Sequence, residues 1–95
     1  MEDKKVIWIT GASSGIGRAL AIKFANEGWI VAASARRENL LEELCKINKN
    51  IYSFPLDVTS IEQCKSVFKS IVEKFKNIEI SIFGTGIHDP KSEKE

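Results

Sequence analysis

Thr10-Gly11-Ala12-Ser13-Ser14-Gly15-Ile16-Gly17 is the stretch that decides how this chain folds. It follows an apolar run, Val6-Ile7-Trp8-Ile9, and opens a helical pattern. A continuous apolar run of this kind predicts a parallel strand covered on both faces. Glycine has no Cβ, so it takes left-handed backbone angles and lets the chain approach a ligand without steric penalty. A helix that begins at the last glycines aims free N–H groups and a partial positive charge at an anion. Strand, glycine turn and helix together predict a cradle for a nucleotide pyrophosphate.

Outward from that motif, strands and helices alternate. Residues 15–27 predict a helix with Ile16, Ala19, Leu20 and Phe24 on one stripe, stopped by Gly28. Residues 29–35 predict a second strand, and residues 38–47 a short helix burying Leu40, Leu41, Leu44 and Cys45. Residues 51–56 form an expected third strand, from which Asp57-Val58-Thr59 leads out. Ser60 then caps a helix, and Gln63 completes a capping box. Within it Ile61, Cys64, Phe68, Ile71, Val72 and Phe75 keep helical spacing. A fourth strand over residues 78–83 ends at Gly84-Thr85-Gly86. Trp8 and Trp29 belong to the core on this reading. From His88 the chain is polar and aperiodic, which predicts a disordered tail over 88–95 after one unit over 1–87.

Strands alternating with helices imply right-handed crossovers and a parallel sheet. The expected fold class is α/β, a three-layer α/β/α Rossmann-type arrangement of four strands in the order 3-2-1-4. Such sheets bind ligands at the carboxyl ends of their strands, where the order reverses. The glycine motif, the end of strand 2, Asp57 and Gly84-Thr85-Gly86 all fall on that rim.

Composition narrows the function classes. With 95 residues, 43% hydrophobic and 28% charged, the chain matches one ordinary globular domain. A net charge of +1 gives no electrostatic case for nucleic acid or an anionic membrane as partner. The apolar runs are too short to span a bilayer, and residues 1–5 lack the apolar core of a secretory signal. Cys45 and Cys64 have no Cys-x-x-Cys spacing and read as two reduced, partly buried thiols. A cytoplasmic location is expected, and no metal site.

Thr-Gly-x-x-x-Gly-x-Gly at positions 10 to 17 resembles the cofactor motif of the short-chain dehydrogenase/reductase family. Ala35-Arg36-Arg37 and Leu56-Asp57-Val58 resemble the family at the expected intervals, and the likeness covers residues 1–90. It implies a Rossmann fold that binds a nicotinamide dinucleotide, part of an oxidoreductase moving hydride between that cofactor and an alcohol or carbonyl substrate. By the same resemblance Gly11, Ser13, Ser14, Gly15, Ile16 and Gly17 hold the cofactor, and Gly84 and Gly86 approach it. Asp57 then accepts from the adenine amino group and Val58 lines the ring.

The residues themselves point to one form of the cofactor. NAD sites place an acid at the end of strand 2 for the ribose hydroxyls. Here Ala35 stands there, followed by Arg36 and Arg37. Guanidinium groups match phosphate oxygens, at about 1.5–3 kcal/mol for each charge-assisted bond before screening. Discounted for exposure, that is on the order of tenfold in affinity. NADP(H) is therefore expected over NAD(H), with Arg36 as the main contact.

Two departures from the family set limits. The family's Asn-Asn-Ala-Gly after strand 4 is Phe83-Gly84-Thr85-Gly86 here, so the bracing asparagine is absent. The family's catalytic Tyr-x-x-x-Lys is absent too, because the one tyrosine, Tyr52, has Leu56 four positions on. No catalytic residue is assigned. The chain reads as an N-terminal, cofactor-binding portion with strand 4 as an apolar edge open to self-association. The alternatives are a stand-alone, non-catalytic nucleotide-binding or interaction module and a decayed product with no function.

Overall fold

The computed structural model describes residues 4–83. Its elements are β1 (Val6–Thr10), α1 (Gly15–Asn26), β2 (Ile30–Ser34), α2 (Glu38–Ile47), β3 (Ile51–Ser53), α3 (Ile61–Phe75) and β4 (Ile80–Phe83). The four strands form one parallel sheet in the order β3-β2-β1-β4, the expected topology. Steps from β1 to β2 to β3 advance one way across the sheet, and the step from β3 to β4 returns the other way. Crossovers of one hand then put α1 and α2 on one face and α3 on the other.

The two cores follow that division. Ile7, Ile9, Val31 and Ala33 face α1 and α2, where they meet Ala21, Ala25, Leu41 and Leu44. Val6, Trp8 and Ala32 face the opposite way, toward Ile71 and Leu56. All five residues of β1 are buried, which explains the unbroken apolar run. Trp8 also needs a partner for its indole N–H, and Nε1 donates to Ser34 Oγ at 2.9 Å. Trp29 packs edge-on against Phe24 with ring centroids 5.0 Å apart.

That pair belongs to the α1 terminus. Trp29 N–H donates to the Phe24 carbonyl at 3.0 Å and Gly28 N–H to the Ala25 carbonyl at 3.1 Å. Gly28 supplies the positive φ of 95° that this Schellman end requires. Helix α3 ends differently, on Lys76 at φ 82°, a conformation that charges a side-chain-bearing residue a steric penalty.

The helix faces differ from the expected stripes. On α1 the buried line is Gly17, Ala21 and Ala25, whereas Ile16 is 62% exposed and Ala19 is exposed. Small side chains let this helix lie close to the sheet, so the larger residues flank the contact or face outward. On α3, Ile71 is buried and Cys64, Val67 and Phe75 pack beside it, while Ile61 and Phe68 are exposed. Phe68 still touches Trp8 across 6.2 Å between centroids, as Phe83 does at 5.3 Å.

Strand ends shift for local reasons. β3 ends at Ser53, yet Phe54 and Leu56 N–H groups still donate to the Ala33 and Ala35 carbonyls at 2.9 and 3.0 Å. Pro55 between them has no N–H to offer. β4 begins at Ile80 rather than residue 78, and the exposed Glu79 before it accepts at Oε1 from Val6 N at 2.7 Å. Both cysteines are free and half-buried, and burial pushes the Cys45 thiol up, with the Glu42 carboxylate adding to it. Gly84, Gly86 and the 88–95 tail lie outside the described residues.

Candidate functional site

A groove of about 750 Å³ runs across the carboxyl ends of β1, β2 and β3. Gly11, Ser13, Ser14, Ile16 and Gly17 form one wall, and Arg36, Arg37, Asp57 and Val58 contribute the rest of the sequence-derived set. Of the expected site residues within 4–83, Gly15 alone does not line it. Its role is conformational, since φ of 59° there, with 69° at Gly11, lets the chain turn twice.

The cradle depends on a close approach. A Cβ at Gly17 would collide with the Gly11 carbonyl oxygen and come within 2.8 Å of the Gly11 carbonyl carbon. The loop is tied to the sheet by Ala12 N–H, which donates to the Ser34 carbonyl at 3.1 Å. Ser14 sits at the N-cap of α1 in an extended conformation, but its hydroxyl makes no capping bond. The first turn of α1 also carries no acid. Its partial positive charge is therefore left for an anion in the groove rather than offset by the protein's own side chains.

At the end of β2, Ala35 is buried and Arg36 and Arg37 are exposed. Among the described residues the one ion pair is Lys23 with Glu27, so neither arginine is committed to a carboxylate. No acid stands where a ribose hydroxyl acceptor would be. Leu40, one turn into α2, extends the apolar wall beside them.

Asp57 is held tightly. Its Oδ1 accepts from Thr59 N at 2.9 Å and from Thr59 Oγ1 at 2.7 Å. Those two bonds, with Arg36 as a weaker contribution, hold its carboxyl below the usual range. Asp57 N–H donates to Gln63 Oε1 at 2.9 Å, and the Asp57 carbonyl accepts from Ser60 N at 2.9 Å. The expected capping box is thus half made. Gln63 N–H donates to Ser60 Oγ at 3.2 Å, but the Gln63 side chain reaches back to Asp57 instead of Ser60.

Sequence reasoning did not single out Leu40 and Thr59 as site residues. Leu40 had a signal, since it falls in the first turn of α2, directly after the two arginines at that rim. Thr59 had another, because a threonine two residues after an aspartate is placed to close an Asx-type turn. Among the described residues, no cluster of His, Cys, Asp and Glu has the geometry to hold a metal ion. No helix is long and apolar enough to cross a membrane.

A parallel sheet in this order, with an uncapped helix start under a glycine turn at its switch point, defines a Rossmann-type nucleotide-binding fold. The chain belongs to the short-chain dehydrogenase family, whose model matches residues 5–95. It is 37% identical over 91 residues to a Dictyostelium discoideum dehydrogenase/reductase SDR family protein 7-like, covering 86% of this chain and 29% of that protein. It superposes on a short-chain dehydrogenase from Streptomyces avermitilis with TM-score 0.81 at 32% identity, covering 85% of this chain and 30% of the other. A Burkholderia phymatum short-chain dehydrogenase/reductase in complex with NAD matches with TM-score 0.78 at 28% identity, over 83% of this chain and 30% of that one. The chain spans less than a third of the length of each. The family binds a nicotinamide dinucleotide, and the groove lies at the carboxyl ends of the strands, where sheets of this order bind ligands.

Proposed function

We propose that this groove binds NADP(H) in preference to NAD(H), and that the chain is the cofactor-binding part of a short-chain oxidoreductase. The observation that carries this reading is the end of β2, where a buried Ala35 is followed by two exposed, unpaired arginines. A 2′-phosphate meets two guanidinium groups there, and the end of β2 itself carries no acidic side chain to repel it. The pyrophosphate takes the N-terminus of α1, held by backbone groups around Gly11 to Gly17 and by the free Ser13 and Ser14 hydroxyls. Adenine lies toward Asp57 and Val58, with its amino group donating to the Asp57 carboxylate. Leu40 and Val58 supply apolar contact.

When bound, the dinucleotide supplies hydride chemistry; this chain's own residues bind and orient it. A Tyr-x-x-x-Lys pair does not occur within these 95 residues, so the proposal assigns no proton-transfer group to them.

Titration of the chain with NADPH and with NADH, followed by nicotinamide fluorescence, tests the reading. NADPH is expected to bind on the order of tenfold more tightly or better. Arg36→Ala should remove most of that preference while leaving NADH affinity nearly unchanged. Equal affinities for the two cofactors in the unmutated chain overturn the NADP(H) assignment.

A further inference from the structure

Asp57 has four polar atoms, and the six residues that follow it engage three of them. Its N–H is taken by Gln63 Oε1 at 2.9 Å, its carbonyl by Ser60 N at 2.9 Å, and its Oδ1 by the Thr59 amide and hydroxyl. Oδ2 is the one without a protein partner among the described residues. A carboxylate on a surface loop ordinarily samples several rotamers. This one is fixed from the backbone side by α3 and from the carboxyl side by Thr59, at the margin of the groove.

We infer that Gln63 and Thr59 are positioning residues that aim Asp57 Oδ2 as a single, acceptor-only contact for the base of the bound nucleotide. The inference rests on the dinucleotide reading of the groove. A fixed acceptor favours a base that presents an exocyclic N–H donor and disfavours one that presents an oxygen at the same place, where two acceptors face each other unpaired. The clamp therefore sets selectivity for adenine over hypoxanthine, which differ at that atom. Gln63 is separable from the fold of α3. The cap to Ser60 uses the Gln63 backbone N–H, so a change of its side chain leaves the cap in place.

The test compares NADPH with its hypoxanthine analogue, titrated into the unmutated chain, Gln63→Leu, Gln63→Glu and Thr59→Val. The unmutated chain should prefer the adenine form by about tenfold, the worth of one hydrogen bond to a charged acceptor. In Gln63→Leu the preference should fall to about threefold or less. Gln63→Glu keeps an acceptor oxygen at the same reach and should restore most of it. A merely structural role would weaken both nucleotides together and leave the ratio alone. If Gln63→Leu folds and keeps the full ratio, the clamp is refuted while the dinucleotide reading stands. If the unmutated chain binds neither nucleotide, that reading fails and this inference with it. Should Gln63→Leu not fold, Thr59→Val decides: a reduced ratio supports the clamp, and an unchanged one overturns it.

Discussion

Gly17→Ala gives the most direct trial of how the cradle is built. The added methyl would overlap the Gly11 carbonyl oxygen, lie 2.8 Å from its carbon and 3.2 Å from Ala12 Cα. Comfortable carbon–carbon contact is about 3.5–4.0 Å, so either α1 or the glycine loop must move by roughly 1 Å. All three obstructing atoms are backbone, and the loop is pinned to β2 through Ala12, so neither side yields cheaply. Overpacking of this kind costs about 1–3 kcal/mol, against a gain of about 0.5–1 kcal/mol from replacing glycine inside a helix. The net expectation is a loss of about 1–2 kcal/mol, which lowers the unfolding temperature of a domain this size by roughly 4–16 °C. Thermal and urea unfolding followed by circular dichroism measure it. The same displacement carries the helix N-terminus away from its anion, so NADPH affinity should fall together with stability. Gly15→Ala is the control. It meets no atom within 4 Å but must adopt φ of 59°, so its penalty is conformational, and an asparagine there should recover part of it. Gly17→Ala at or above the stability of the unmutated chain, with binding intact, refutes the close-approach explanation.

Two further outcomes follow from single residues. Lys76→Gly should raise the unfolding free energy measured in urea by about 0.5–1 kcal/mol, because φ of 82° strains any residue with a Cβ more than glycine loses in chain entropy; a lowered value rules that strain out. Asp57 should titrate below the ordinary aspartate range in a carboxyl-carbon NMR titration, since Thr59 bonds favour its charged form. Its folded value is depressed, so its contribution to stability is present above the unfolded value and is lost as pH falls through the folded one. Thr59→Val should move the midpoint up, and an Asp57 midpoint at or above that of an unperturbed aspartate contradicts the geometry.

Much of the architecture could be read from spacing alone, because topology here is dictated by local signals. The apolar run of β1, the glycine turn and the Gly28 stop each have one physical interpretation, and the sheet order follows from them. The faces of the helices were less legible. Periodicity picked Ile16, Ala19, Leu20 and Phe24 on α1, three of them bulky, whereas the distance between helix and sheet selected Gly17, Ala21 and Ala25. Hydrophobicity scales reward size, and close contact demands its absence. On α3 the stripe held Ile61 and Phe68, which the sheet below does not cover. At the groove, most lining positions were legible because the glycine turn and the strand ends fix which residues reach that rim. The hydrogen bond from Asp57 N–H to Gln63 Oε1 was not, since the side-chain oxygen of a glutamine three residues after a cap has two backbone N–H donors within reach and only the loop path chooses between them.

The register of the sheet also sets the order in which it can assemble. Val6 pairs with Ile30, 24 positions along the chain, whereas Ile7 pairs with Ile80, 73 positions along. Closing the longer loop costs about 1 kcal/mol more in chain entropy than the shorter one. The central strand thus acquires its β2 neighbour early and its β4 neighbour late. During that interval one side of β1 stands open, with Trp8 lacking Phe83 and the Val6 amide lacking the Glu79 carboxylate. A refolding experiment should therefore find β1–β2 amides protected from hydrogen exchange before those that β4 supplies. Crowded, concentrated refolding should lose material in that same window, when the middle of the sheet is temporarily its edge.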